Sequence, residues 1–196
     1  MQDWSLTTKE GKRKYMTLEE RQHFFHSVDK ALKREQRPFA LMLYWSGCRI
    51  SEALAVQVQH IDYSEGGVRF NTLKRRRSDI YRFVPLPPSF LIKLDDVYNI
   101  KALQKQGGKV LEQRIWDFTR RCGANYIKRV MDTAGIEGVQ ATAKGLRHSF
   151  VIAHQQNRTP AHMIQKWAGW STPAMLQVYG AAMGEEEKEL AAALWK

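Results

Sequence analysis

The chain has too few cysteines for a disulfide framework or a structural zinc site. Only Cys48 and Cys122 occur among its 196 residues, and two thiols complete neither arrangement. The six histidines show no HExxH or other ligand spacing, so we expect no metal. No apolar run reaches the ~20 residues that cross a bilayer, and no signal-peptide core follows Met1. We therefore expect no membrane and a reducing cytoplasm.

Acidic residues are also scarce relative to basic ones. Lys and Arg total 31 against 20 Asp and Glu, which gives a formal net charge of +11. This excess indicates a polyanionic partner, although a generally basic globular protein is the plainer interpretation. The apolar fraction of 43% is ordinary for a folded domain, and the length suits one full-sized domain.

Helical patterns dominate both ends of the chain. Thr17 and Glu20 form a predicted capping box, and apolar residues follow at helical spacing. Pro38 can open a second helix that Gly47 ends, and Ser51 can cap a short third one. Further helices are predicted over residues 89–104, 119–134, from Thr142, 160–168, 173–180 and near the C-terminus, with Thr159 and Thr172 as caps.

The middle of the chain carries a strand pattern instead. Val68 and Phe70 alternate, as do Ile80, Arg82 and Val84, and the two runs predict antiparallel strands. The fold class is therefore mainly α with a small antiparallel β-sheet (α+β). We divide the chain into a basic flexible lead-in (1–16), a main domain (17–184) and a C-terminal helix (185–196).

One set of residue types fits phosphodiester chemistry. A tyrosine that attacks phosphorus must lose a proton from a group of pKa about 10. Arginines stabilise the charge on the phosphate oxygens, and a lysine can protonate the leaving oxygen. Arg49, Arg147, Lys74 and Tyr179 supply these types. Each also has a plainer interpretation: a surface ion pair of Arg49 with Glu52, a solvated turn at Lys74, and core packing of Tyr179.

Four local motifs strengthen the chemical interpretation. Residues 46–54 read Ser-Gly-Cys-Arg-Ile-Ser-Glu-Ala-Leu, and Lys74 precedes Arg-Phe-Val-Pro-Leu at 82–86. Residues 144–150 read Lys-Gly-Leu-Arg-His-Ser-Phe, and Ala-Gly-Trp at 168–170 comes nine residues before Tyr179. In order and spacing the set resembles the catalytic domain of the tyrosine recombinases, the phage integrase family, over about residues 15–184.

The resemblance implies a role for each matched residue. Tyr179 would attack DNA phosphorus and hold a 3′-phosphotyrosyl link, while Arg49 and Arg147 clamp the phosphate. Lys74 would protonate the 5′-oxygen, and Trp170 would pack against or hydrogen-bond the phosphate. The covalent link keeps the phosphodiester energy, so neither ATP, a metal nor another cofactor is implied.

Two features depart from the family pattern. Lys144 replaces the usual histidine; lysine can donate to phosphate but is a poorer base, so the base for Tyr179 stays open. Only about 16 residues precede the catalytic region, where the family has a helical DNA-binding domain. Either the catalytic domain works alone or an accessory protein supplies the second half.

Two basic clusters are predicted to contact double-stranded DNA. Their alternative interpretation is a solvated surface. The resemblance further implies self-association on DNA as a tetramer, with residues 185–196 docking on a neighbouring protomer, and a nucleoid-associated location. The clusters comprise Arg75, Arg76 and Arg77 beside Lys74, and Arg120, Arg121, Lys128 and Arg129 on a helix.

The leading hypothesis is therefore a site-specific DNA recombinase. A type IB topoisomerase-like nickase shares its chemistry and differs by lacking sequence-specific strand exchange. A non-catalytic DNA-binding regulator is the other alternative, with residues 159–179 as a helix-turn-helix module.

Overall fold

A computed structural model describes residues 6–71, 81–172 and 174 of the chain. Helices make up most of this part, and one small sheet lies among them, as the sequence predicts. The helices are α1 (Leu18–Ala31), α2 (Arg37–Ser46), α3 (Ile50–Leu54), α4 (Pro88–Tyr98), α5 (Ile100–Gln106), α6 (Arg120–Thr133), α7 (Ala143–Gln156) and α8 (Ala161–Ala168), with 3-10 turns at Val58–His60 and Gly108–Glu112.

The sheet is antiparallel, in the order β1 (Ile61–Asp62), β2 (Gly67–Asn71) and β3 (Tyr81–Pro85). Val68 pairs with Val84 and Phe70 with Arg82. The predicted pair of strands is confirmed, whereas the short β1 was not anticipated because two residues carry no readable alternation. Residues 72–80, with the predicted Lys74–Arg77 cluster, lie outside the described residues.

Most of the helix boundaries follow local sequence signals. Thr17 and Glu20 form the predicted capping box, α2 ends at left-handed Gly47 (φ 59°), and the Thr142 side chain caps α7. The helix predicted over 89–104 is instead two helices, because Asn99 adopts a left-handed conformation with φ 55°.

Two predicted caps are wrong. The helix α3 begins after Arg49 rather than after Ser51, and the N-cap of α8 is Pro160, which has no side-chain capping bond. The hydroxyl of Thr159 instead lies 3.1 Å from Nδ1 of His154. The predicted helices 173–180 and 185–196 lie outside the described residues, apart from Ala174.

Helices α1, α2, α6 and α7 pack around the main core, and α2 lies at its centre with Phe39 and Met42 fully buried. A smaller cluster lies between α7 and α8, where Leu6 from the N-terminal segment packs with Phe150 and Trp170. The motif-bearing ends of α2, α7 and α8 thus meet at one place. Among the described residues, no helix has the length and apolar character to cross a bilayer.

Candidate active site

The first motif begins where α2 makes a sharp exit. Gly47 has a positive φ, and a Cβ there would lie 2.4 Å from Cδ1 of Phe150, so only glycine fits. Cys48 follows, and burial, with the charge of Glu52, raises its thiol pKa to about 12. A neutral, buried thiol therefore anchors the chain immediately before Arg49.

Arg147 of the second motif joins the other two motifs through backbone carbonyls. Its Nη1 donates to the carbonyl of Gly47 at 2.7 Å, and its Nη2 donates to the carbonyl of Ala168 at 2.6 Å. The side chain is only 8% exposed. One guanidinium therefore holds together the end of α2, the first half of α7 and the end of α8.

Glu52 places a carboxylate between the arginines. Its Oε1 accepts from Arg49 Nη1 at 2.8 Å, and its Oε2 accepts from the Arg49 backbone N–H at 2.9 Å. The same Oε2 lies 4.0 Å from Arg147 Nη1. Arg49 and Arg147, far apart in sequence, are thus brought to one carboxylate. The predicted pair of Arg49 with Glu52 exists, but Glu52 is 3% exposed, so it is not a surface ion pair.

The charge state of Glu52 follows from this environment. Burial alone raises the pKa of the carboxyl, but Arg82 and Arg147 lower it more strongly, and the net pKa lies below its ordinary value. Glu52 is therefore ionised at neutral pH and neutralises part of the charge that the arginines bring together.

Arg82 is the third guanidinium on this carboxylate. Its Nη2 donates to Glu52 Oε2 at 2.7 Å, and its Nε donates to the carbonyl of Trp167 at 2.9 Å. The guanidinium also lies over the ring of Phe70, 4.9 Å from the centroid. Arg82 therefore ties strand β3 to α3 and to the last turn of α8.

The third motif forms the end of α8. Gly169 ends the helix with φ 66°, and a Cβ there would lie 3.0 Å from the Arg82 guanidinium. The backbone N–H of Trp170 then donates to the carbonyl of Gln165 at 3.1 Å. Trp170 is 7% exposed and packs in the small cluster. Trp170 thus packs in the core, two residues after Ala168, whose carbonyl accepts from Arg147.

Lys144 and His148 lie on one side of α7, a helical turn apart. Lys144 is exposed in the first turn, and Gly145 behind it allows the carbonyl of Gln140 to approach, because a Cβ would lie 2.0 Å from that oxygen. Burial, then the charges of Lys144, Arg147 and Lys14, lower the pKa of His148 to about 4. His148 is therefore neutral at pH 7.

The second predicted basic cluster lies on the exposed side of α6. Arg120 and Arg121 are in its first turn, near Gly123. A Cβ added at Gly123 would lie 3.5 Å from the side chain of Ile50, the residue that follows Arg49. Lys128 pairs with Asp132, and Arg129 donates to the carbonyl of Ala31. DNA contact by these four residues remains a prediction, and Lys74, Arg75, Arg76, Arg77 and Tyr179 lie outside the described residues.

Sequence reasoning missed the central role of Glu52 and Arg82 in the site. The sequence indicates Glu52 only as a partner of Arg49, and Arg82 only as a member of the β3 alternation. The signal was present, since Arg82 shares the inward face of that strand with Val84 and Leu86. A cation on a buried face requires a buried anion nearby.

No three metal-ligating side chains come together within residues 6–71 and 81–172.

The family model of the phage integrases matches residues 14–186, most of the chain. The chain belongs to the phage integrase family. It is 22% identical over 186 residues to the tyrosine recombinase XerA of Pyrococcus furiosus, covering 90% of this chain and 60% of that protein.

Solved structures of the phage integrase family share the fold. The XerH recombinase in its pre-cleavage complex with difH has a TM-score of 0.70 at 18% identity, covering 97% of this chain and 59% of XerH. The XerA recombinase has a TM-score of 0.69 at 18% identity, covering 89% and 62%. The fold is that of a tyrosine recombinase catalytic domain, and the chain spans about three fifths of the length of these relatives.

Proposed function

We propose that the protein is a site-specific DNA recombinase that cleaves and rejoins DNA strands through a 3′-phosphotyrosyl intermediate. One observation carries the proposal most strongly: Arg49 and Arg147 meet at the Glu52 carboxylate, with Arg147 also fixed by two carbonyls. Guanidiniums held in this way present a fixed positive site for the oxygens of one phosphate. Membership of the phage integrase family supports the same chemistry.

The proposed reaction has two mirrored steps. The Tyr179 oxygen attacks phosphorus, the bond to the 5′-oxygen breaks, and Lys74 gives that oxygen a proton. Arg49 and Arg147 stabilise the charge that gathers on the non-bridging oxygens, an effect worth roughly 3 kcal/mol per donor in comparable sites. The 5′-hydroxyl of a second strand then attacks the phosphotyrosyl phosphorus, which rejoins the DNA and releases Tyr179. The base that accepts the Tyr179 proton stays unassigned.

Trp170 and Lys144 complete the proposed phosphate site. Trp170 follows the turn whose Ala168 carbonyl holds Arg147, so its indole can border the same phosphate. Lys144 adds a cation in the first turn of α7, where the helix dipole also favours an anion. In this proposal Lys144 therefore donates a hydrogen bond to the phosphate and does not act as the base.

The proposed substrate is double-stranded DNA, and the proposed assembly is a tetramer on it. XerH is known bound to its difH substrate, and λ integrase as a tetramer bound to a Holliday junction. Residues 185–196 would dock on a neighbouring protomer, and an accessory DNA-binding protein would complete the grip on the duplex. The Lys74–Arg77 cluster and the four α6 cations would contact the DNA backbone, and nucleoid association follows from that binding.

A nicked suicide duplex tests the proposal. The target site is first identified by sequencing DNA recovered with the protein from cells. The wild-type protein should become covalently attached to that duplex, and Tyr179→Phe should form no adduct. Tyr81→Phe is the matched control, because this tyrosine is half exposed on β3 and should keep full activity. An adduct that persists in Tyr179→Phe would exclude the assigned nucleophile.

A further inference from the structure

The Glu52 carboxylate is shared unequally by the three guanidiniums around it. Arg82 Nη2 donates to Oε2 at 2.7 Å, and Arg49 Nη1 donates to Oε1 at 2.8 Å. Arg147 Nη1, by contrast, lies 4.0 Å from Oε2, which is beyond hydrogen-bond distance. Of the two guanidiniums near Oε2, the one that binds this oxygen is therefore that of Arg82.

Neutral acceptors fix the Arg147 guanidinium in its position. Its Nη1 donates to the carbonyl of Gly47 at 2.7 Å, and its Nη2 donates to the carbonyl of Ala168 at 2.6 Å. Carbonyl groups orient a guanidinium without cancelling its positive charge, whereas a carboxylate at hydrogen-bond distance cancels much of that charge. Because the proposed clamp depends on the charge of Arg147, a closer Glu52 would weaken the attraction for a phosphate.

Arg82 is fixed in place by a second contact. The residue is 6% exposed, and its Nε donates to the carbonyl of Trp167 at 2.9 Å. Trp167 and Ala168 are consecutive residues, so the end of α8 anchors both Arg82 and Arg147 through adjacent carbonyls. Two neighbouring guanidiniums therefore compete for one oxygen of Glu52.

Stability alone does not account for a charge at position 82. The buried Nη1 of Arg82 has no hydrogen-bond partner within the part of the chain that the structure describes, and a buried donor without a partner costs free energy. Apolar side chains often replace a buried ion pair with no loss of stability. The charge of Arg82 is thus better explained by its effect on Glu52.

We propose that Arg82 is a positioning residue for the DNA-cleavage reaction. By binding Glu52 Oε2, it keeps the carboxylate from pairing with Arg147, so that the positive charge of Arg147 acts on the scissile phosphate. The reaction in this statement rests on the proposed function, whereas the competition for Glu52 is a property of the protein alone. Arg82 acts through Glu52 and Arg147 and is not itself assigned a contact with the phosphate.

Crystal structures of variants test the competition directly. In Arg82→Met, which removes the charge, we expect Glu52 Oε2 to approach Arg147 Nη1 from 4.0 Å to below about 3.2 Å. Arg82→Lys keeps a cation at this position and should keep the two atoms apart. An unchanged separation in Arg82→Met would overturn the proposal. This comparison needs no DNA, so it decides about Arg82 even if the wild-type protein forms no adduct and the recombinase proposal fails.

Adduct formation on two suicide duplexes measures the effect on the reaction. One duplex carries the normal scissile phosphate and the other a neutral methylphosphonate, and the ratio of the two rates reports the preference for a charged substrate. We expect Arg82→Met to lower this ratio at least about tenfold and Arg82→Lys to restore most of it. Arg69→Met, on the half-exposed neighbour in β2, should leave the ratio unchanged.

The ratio separates positioning from a general loss of structure. A loosened domain would slow both reactions alike, so an unchanged ratio in Arg82→Met would also overturn the proposal.

A double variant keeps the proposal testable if Arg82→Met does not fold. Arg82→Met/Glu52→Gln removes both charges of the buried pair and should therefore lose less stability than either change alone. Without the carboxylate, Arg147 has no charge of Glu52 to pair with, so the double variant and Glu52→Gln should show the same ratio. A lower ratio in the double variant would show that Arg82 acts by another route and would contradict the proposal.

Discussion

The Glu52 carboxylate accepts a 2.7 Å hydrogen bond from Arg82 Nη2, and both side chains are buried. Glu52 belongs to the first motif, whereas Arg82 lies on β3, directly after residues 72–80 that include Lys74. This ion pair therefore connects the strand that follows the predicted general acid to the carboxylate that organises Arg49 and Arg147. Strand β3 and the carboxylate that binds Arg49 are thus coupled through one buried contact.

Neutralising Glu52 should disable the clamp. Glu52→Gln leaves three guanidiniums around an uncharged amide, and removing one partner of a buried ion pair costs about 3–5 kcal/mol. We expect a loss of that size in the free energy of unfolding and at least a hundredfold slower adduct formation. Asp132→Asn on α6, whose partner Lys128 is exposed, should cost below about 1 kcal/mol. Urea denaturation compares them, and equal costs would show that Glu52 is not a buried hub.

Arg82 and Arg69 lie on adjacent strands and form a matched pair. Arg82 binds buried Glu52, whereas the half-exposed Arg69 binds Asp62 at 2.6 Å. Arg82→Met should destabilise the fold by about 3–5 kcal/mol because Glu52 loses its closest charge partner, and Arg69→Met by below about 1 kcal/mol. Midpoints of urea unfolding measure both. A larger effect for Arg69→Met would contradict the part assigned to Arg82.

Gly169 should tolerate no side chain. It has a left-handed backbone and faces the Arg82 guanidinium, so Gly169→Ala combines backbone strain with displacement of that group. Gly135 has φ 67° but open space around its Cβ position, which makes Gly135→Ala a control for strain alone. We expect Gly169→Ala to cost at least about 1 kcal/mol more than Gly135→Ala in thermal unfolding. Equal costs would mean that Arg82 moves freely.

The buried His148 should make stability depend on pH. Its pKa is lowered from 6.5 to about 4 in the folded state, so the unfolded chain takes up a proton first as pH falls. The stabilisation is fully present above pH 6.5 and is lost down to about pH 4, by on the order of 3 kcal/mol. His60, His154 and Glu52 act in the same direction.

A comparison of variants isolates the contribution of His148. The free energy of unfolding of His148→Gln should fall less steeply between pH 6.5 and 4 than that of the wild type, while the other three groups titrate unchanged. Parallel curves for the two proteins would show that His148 takes up its proton equally in both states.

Local chemistry explains which parts of the fold were predictable. The capping box at Thr17 and the exit at Gly47 depend on neighbouring residues, so sequence alone predicts them. The break at Asn99 was missed because a left-handed asparagine inside an apolar pattern leaves no periodicity signal. The packing of residues 6–16 was missed because Leu6, Tyr15 and Met16 anchor a short segment that otherwise looks polar.

The candidate site likewise contains residues that the local sequence predicts and residues that it does not. Arg49, Arg147 and Trp170 could be named because their motifs are local. The fold brings Arg49 and Arg147 to one carboxylate, and Trp170 follows two residues after the Ala168 carbonyl that binds Arg147. Arg82 could not, because its importance depends on Glu52, a partner distant in sequence. A buried arginine on an apolar strand face is the clue that would have found it.

In the proposed mechanism, Arg49 and Arg147 neutralise the charge of one phosphate under attack. The most direct measurement compares adduct formation on a suicide duplex with a normal scissile phosphate and on one with a neutral methylphosphonate there. Arg147→Ala should slow attachment at least a hundredfold on the phosphate but only a few-fold on the methylphosphonate, which has no charge to neutralise. Equal losses on the two substrates would contradict the account.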